Sequence, residues 1–140
     1  MTAEQIEKCY EEIAHQISAM IPEEWTTAKL YAESWPGYTT IYFYYDSADN
    51  TLPILNLNIP DLFSVDPDDF LLQKRLLRRT VLALQQMFSE QDMETWTNFT
   101  LILNHDGTFK AEYGYEDLKE LDPGEKREAW KVKYGIEYKR

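Results

Sequence analysis

The sequence has one cysteine among its 140 residues and no long apolar run. Cys9 cannot form an internal disulfide, which excludes the framework of a small secreted domain and favours a reducing compartment. The longest uninterrupted apolar run is the five residues from Ile41 to Tyr45, whereas a membrane-spanning helix needs about 20. The segment Met1–Tyr10 also lacks the basic and apolar regions of a signal peptide. We therefore expect a cytoplasmic protein.

Positive charge is also scarce, because 14 Lys and Arg residues face 25 Asp and Glu residues, for a net charge of −11. Residues 1–69 hold 13 acidic and two basic residues (−11), and residues 70–140 hold 12 of each (zero). Nucleic acids and anionic membranes both require a basic surface, so neither is expected as a partner. An acidic surface favours a basic protein partner, or serves only solubility.

Sequence patterns typical of enzyme sites are missing as well. The chain has no GxxxxGK[ST], GxGxxG or GxSxG motif, which disfavours nucleotide binding and a serine nucleophile. The two histidines, His15 and His105, look isolated and lack the spacing of a zinc site. Asp46 and Asp49 resemble the start of a calcium loop, but Ala48 breaks its alternation of ligands. We expect no enzyme, no cofactor and no metal.

Apolar periodicity predicts an α+β domain in which an antiparallel sheet of about five strands packs against two main helices. Helical spacing predicts the two helices, and alternation with a period of two predicts the strands. The last segment, which carries Trp130, Tyr134 and Ile136, is expected to form a short helix followed by an extended end. The predicted order is α-β-β-β-α-β-β-α, with segments 3–20, 25–33, 39–45, 52–59, 66–89, 97–103, 108–115 and 123–140. We treat residues 1–140 as a single domain.

The same alternation assigns the aromatic residues to the two faces of the sheet. Phe43, Phe99 and Phe109 are predicted to lie in the core. Tyr31, Tyr42 and Tyr44 share the opposite face, which is either a bare partner-binding face or a second core covered by the C-terminal segment. The Asp106-Gly107 pair predicts a two-residue hairpin turn between the last two strands.

One basic cluster interrupts the acidic pattern in the second main helix, at Lys74-Arg75 and Arg78-Arg79. Three interpretations stay open: a solvated helix flank, a set of ion pairs with nearby acids, or a nucleic-acid patch. The net charge of −11 weighs against the last of these.

An ordered set of segments resembles the YezG-like immunity proteins over nearly the whole chain. The segments are Thr26-Thr27-Ala28-Lys29-Leu30-Tyr31-Ala32-Glu33, Phe43-Tyr44-Tyr45, Trp96-Thr97-Asn98-Phe99-Thr100, Asp106-Gly107-Thr108-Phe109 and Arg127-Glu128-Ala129-Trp130-Lys131-Val132-Lys133-Tyr134-Gly135-Ile136. The resemblance implies an antitoxin found beside LXG-type polymorphic toxins, whose C-terminal nuclease domains it neutralises in the cytoplasm. It implies no catalytic motif.

Resemblance and charge together favour an immunity protein that binds a basic nuclease toxin domain and blocks or distorts it. The predicted partner-binding residues are carboxylates of the first half: Glu23, Glu24, Asp46, Asp49, Asp61, Asp68 and Asp69. The alternatives are a general acidic protein-interaction module without a toxin partner and, last, a metal-dependent hydrolase. The oligomeric state is left open.

Overall fold

The computed structural model describes residues 3–49, 52–90 and 93–136. The elements follow the chain as α1 (Ala3–Met20), β1 (Trp25–Trp35), β2 (Tyr38–Ser47), β3 (Ile54–Leu55), a 3-10 turn (Asn56–Asn58), α2 (Ile59–Leu62), α3 (Pro67–Glu90), β4 (Asn98–Asn104), β5 (Phe109–Gly114) and α4 (Pro123–Lys133). The strands form one sheet in the order β3-β2-β1-β4-β5, and every neighbouring pair is antiparallel. The predicted α+β class is confirmed; the expected extended end beyond residue 136 lies outside the described residues.

The main core lies between one face of the sheet and the two long helices α1 and α3. Alternate strand residues such as Leu30, Phe43 and Leu101 point into it, as the period of two requires. Ile13 of α1 and Leu84 of α3 are completely buried against them. Because only one stripe of each helix is apolar, this packing fixes how the helices lie on the sheet.

The third predicted strand is much shorter than expected. Alternation predicted a strand over 52–59, but only Ile54 and Leu55 pair with β2. The next residue, Asn56, is buried and accepts the backbone N–H of Phe43 on its Oδ1 atom at 3.0 Å. The Asn56 side chain thus takes the place of a backbone partner from β3. Pro60 lies in the first turn of α2, a short helix that the sequence did not predict.

Two smaller expectations also change. The β4–β5 hairpin is confirmed, but Gly107 donates its N–H to the Asn104 carbonyl at 2.9 Å. The central turn residues are therefore His105 and Asp106, and Gly107 follows them with φ of 94°. The prediction that Phe109 lies in the core is wrong, because this residue is 39% exposed at the start of β5.

Candidate partner-binding surfaces

The tyrosine face of the sheet is covered, which decides between the two interpretations left open by the sequence. Tyr31, Tyr42 and Tyr44 are buried together with Trp130 of α4 and Ile136 in a second apolar cluster. The Trp130 ring lies 5.5 Å from that of Tyr31 and 5.6 Å from that of Tyr42, centroid to centroid. The face is therefore a core, and its tyrosines do not form a bare binding site.

Both ends of α4 have capping residues that position the helix on this face. Asp122 caps the first turn by accepting the backbone N–H of Glu125 at 2.9 Å, and Pro123 occupies the first helical position. At the other end Gly135 has φ of 66°, and the N–H of Ile136 reaches back to the Lys131 carbonyl at 2.9 Å. This is the left-handed cap that favours glycine, and it turns Ile136 into the cluster.

A buried ion pair fixes α4 to β1. The Glu33 side chain is completely buried, and one of its oxygens lies 2.8 Å from Lys126 Nζ. The same carboxylate accepts the Tyr31 hydroxyl and the Trp35 indole N–H, both at 2.7 Å. These donors compensate for the cost of burying the charge. The network joins β1 to α4 through three hydrogen bonds to one carboxylate.

Four of the predicted binding carboxylates belong to two adjoining segments, just before β1 begins and where β2 ends. We call this group, formed by Glu23, Glu24, Asp46 and Asp49, the acidic corner. The Ala48 N–H donates to the Glu24 carbonyl at 3.0 Å, which joins the segment before β1 to the loop after β2. Asp46 lies opposite Thr27 in the β1–β2 ladder.

The four carboxylates differ in what they can offer a partner. Glu24 and Asp49 are exposed and Asp46 is partly exposed. Glu23 is partly buried, and its two oxygens accept the hydroxyls of Tyr45 at 2.5 Å and Ser47 at 2.9 Å. Glu23 therefore holds the corner together, while Glu24 and Asp49 face solvent and Asp46 does so in part.

The remaining predicted carboxylates lie on α2 and on the first turn of α3. Asp61, Asp68 and Asp69 are all exposed. The charge of Asp66, together with a hydrogen bond to it, raises the pKa of Asp69, as crowding of like charges does. Gln73 donates to the Ala19 carbonyl at 3.4 Å, so the start of α3 lies beside the end of α1, which leads into the acidic corner.

The two histidines are closer in space than the sequence indicated. His15 of α1 and His105 of the β4–β5 turn are both exposed and line one groove with Trp25 and Phe109. Among residues 3–49, 52–90 and 93–136, no three His, Cys, Asp or Glu side chains are grouped as metal ligands would be. None of the helices in these segments combines the length and hydropathy that crossing a bilayer requires.

One edge of β2 is open, although the sequence predicted that a strand over residues 52–59 would cover it. β2 is paired with β1 along its whole length, but on its other side β3 pairs only with Tyr44 and Tyr45. The earlier part of this edge borders a groove between β2 and α3. The signal in the sequence was the Asn56-Leu57-Asn58-Ile59-Pro60 segment, which favours a turn over a strand.

The fold and the charged surfaces together are typical of an acidic α+β binding protein, in which α1 and α3 cover one face of the sheet and α4 covers the other. A model of the YezG-like immunity proteins matches residues 6–137, and the chain belongs to this family. The immunity protein YezG of Bacillus spizizenii is 35% identical over 129 residues, which cover 89% of this chain and 78% of that protein. YezG of Bacillus subtilis is 32% identical over 126 residues (89% and 83%).

A third relative comes from another genus. The type VII secretion system protein EsaG of Staphylococcus aureus is 29% identical over 114 residues, which cover 81% of this chain and 70% of that protein. Immunity proteins bind a partner toxin and are not enzymes. The expectation of a non-enzymatic protein is thereby confirmed, and the hydrolase alternative is withdrawn.

Proposed function

We propose that this chain neutralises a nuclease toxin in the cytoplasm by placing its acidic corner against the toxin's basic catalytic domain. The observation that carries the proposal is the convergence of Glu24, Asp46 and Asp49 at one end of the sheet, facing solvent. A nuclease presents positive charge to its phosphate substrate, so an acidic surface is attracted to the same region and competes for it.

The exposed acids at the start of α3 extend this surface toward α1. Asp68 and Asp69 sit in the first helical turn, where negative side chains are stabilised by the helix dipole. Their exposure leaves the carboxylates free to meet a partner's cations.

Co-expression with the toxin encoded next to this chain's gene tests the proposal. We expect the chain to restore growth and to suppress degradation of DNA or RNA by the purified toxin. Equal killing with and without the chain would refute a role as its antitoxin. Growth rescue from a toxin that does not degrade nucleic acid would refute the nuclease proposal and keep the immunity role.

Charge reversal tests the docking site itself. Asp46→Lys combined with Asp49→Lys should weaken toxin binding by about tenfold or more and reduce its dependence on salt concentration, as loss of attractive charges does. The matched control is Glu125→Lys with Glu128→Lys, which makes the same charge change at exposed positions of α4. Titration calorimetry at two salt concentrations measures both. Equal weakening by the two pairs would show that only net charge matters.

A further inference from the structure

We infer that the open edge of β2, together with basic side chains of α3, binds an extended acidic peptide segment as an additional strand of the sheet. This surface is separate from the acidic corner and has the opposite charge. Its ligand is an acidic segment of a protein partner, and the inference goes beyond the proposed function because it requires no nuclease.

The first observation is the unpaired edge. Phe43 directs its N–H away from β1, to Asn56. Backbone groups alternate along a strand, so Thr39 and Ile41 direct their N–H and C=O groups to the same side. In the described part of the chain no strand pairs with them there, since the β2–β3 ladder is limited to Tyr44 and Tyr45. Such an edge is a template for a further strand.

The second observation is the groove above this edge. It has a volume of about 360 Å³ and lies between β2, the 3-10 turn and α3. Ile41, Leu57 and Leu71 give it an apolar floor, and Leu57 and Leu71 are 42% and 43% exposed. An added strand would place every second side chain over this floor, as strand geometry requires.

The third observation is the charge of the groove. Lys74, Arg75 and Arg78 line it, and no acidic residue does. Within the described segments no carboxylate lies at ion-pair distance from these three cations, which weighs against the ion-pair interpretation of the basic cluster. In a chain of net charge −11, three cations that have no ion-pair partner in the described part of the chain, beside an open strand edge, favour an acidic segment by complementarity.

The same charges argue against a second copy of the chain as the occupant. Two-fold antiparallel pairing of one β2 edge with another would place both α3 helices on the same side of the joined sheet. Lys74, Arg75 and Arg78 of the two copies would then repel each other across the junction. Charge therefore favours an acidic strand over a second copy of the chain in this groove.

A capped synthetic hexapeptide of sequence Glu-Thr-Val-Thr-Glu-Thr tests the inference, because its Glu and Val side chains share the strand face that would meet both the apolar floor and the cations of the groove. We expect it to shift the backbone amide resonances of Thr39 and Ile41 and to bind detectably by calorimetry. A peptide with Lys in place of Glu, and one with Pro in place of Val, should not bind. No acidic-peptide binding at millimolar concentration, or binding with shifts only at other elements, would overturn the inference.

Variants of the chain locate the contacts. Arg78→Glu should weaken peptide binding by about tenfold or more, because attraction becomes repulsion. Arg79→Glu is the matched control, since Arg79 faces α1 beside Thr80 rather than this groove. Thr39→Pro should also weaken binding, because it removes an outward N–H and leaves the β1–β2 ladder intact. Equal effects of the Arg78 and Arg79 changes would overturn the inference.

Two further outcomes would assign the groove to another occupant. A dimer in sedimentation that Thr39→Pro abolishes would identify a second copy. Displacement of the peptide by a single-stranded oligonucleotide, with the same amide shifts, would identify nucleic acid. Both overturn the inference, and neither bears on toxin neutralisation, because the titrations contain no toxin.

Discussion

The Lys126–Glu33 pair offers a direct measurement of what holds α4 to the sheet. Lys126→Met keeps most of the apolar length of the side chain and removes its charge. The Glu33 carboxylate, completely buried, then keeps only its bonds from Tyr31 and Trp35. Removing one partner of a buried ion pair typically costs about 3–5 kcal/mol. Two donors remain and the Lys126 side chain is 11% exposed, so we expect a loss of about 2–3 kcal/mol of unfolding free energy.

Urea and thermal unfolding followed by circular dichroism measure this loss. For a domain of this size, 2–3 kcal/mol corresponds to a decrease in Tm of about 5–10 °C. Lys119→Met is the matched control, because Lys119 is exposed and its side chain forms no ion pair among the described residues. We expect its effect to stay within about 0.5 kcal/mol.

A double-mutant cycle isolates the pairwise interaction. Combining Lys126→Met with Glu33→Gln should cost less than the sum of the two single changes, by about 1–3 kcal/mol, since the double variant leaves no uncompensated buried charge. Strict additivity would refute the reasoning that the two charges depend on each other. A Lys126→Met loss equal to that of the control would refute it as well.

Three other perturbations test the covered tyrosine face, the shortened third strand and the buried tyrosines. Trp130→Ala should cost about 3–5 kcal/mol of unfolding free energy in urea, because it leaves a cavity inside the second cluster; a cost below 1 kcal/mol would contradict that cluster. Asn56→Ala should cost about 1–3 kcal/mol in the same assay, because the buried N–H of Phe43 loses its acceptor. Asn58→Ala, at a neighbouring exposed position, is the control. Burial raises the pKa of Tyr31 and Tyr45 above 10 in the folded chain. The unfolded chain therefore loses protons first as pH rises past about 10, so stability is complete below that pH and falls above it; absorbance at 295 nm should show tyrosines that ionise only on unfolding, and their early ionisation in the folded chain would contradict the burial.

Local patterns in the sequence were sufficient to predict which side chains share a sheet face. A period of two places Tyr31 and Tyr42 opposite each other, and the β1–β2 register confirms this pairing. The pattern could not tell whether that face is bare, because the answer lies in α4, which comes about 90 residues later in the chain. The buried Glu33 was hidden for the same reason, since its partner Lys126 is distant in sequence.

Patterns failed where a side chain replaces a backbone partner. Leu52–Ile59 alternates well enough for a strand, yet Asn56 satisfies the N–H of Phe43 with its own side chain and ends the pairing. Its consequence is functional, because the shortened β3 is what leaves Thr39 and Ile41 open. The concentration of acidic residues in the first half of the chain was the reason for naming the carboxylates of the acidic corner as partner-binding residues. The sequence did not predict that their segments adjoin at one end of β1 and β2.

The basic residues of the second half of the chain occupy two different environments, which the net charge of that half does not show. Residues 70–140 carry equal numbers of acids and bases. Several of those bases are engaged on the tyrosine face: Lys126 pairs with Glu33, and Arg127 and Lys131 lie over the rings of Tyr42 and Tyr44 at 5.0 and 5.3 Å.

Cations that bind α4 to the sheet contribute little to the outer surface, while those of the β2–α3 groove remain available. The molecule therefore has an acidic corner and a basic groove at different places on the same sheet. If both proposals hold, binding at each surface weakens as salt concentration rises, because each relies on charge attraction. A charge reversal at Asp46 should alter only toxin binding, and one at Arg78 should alter only peptide binding. Loss of both activities from either change alone would show that the two surfaces act as one.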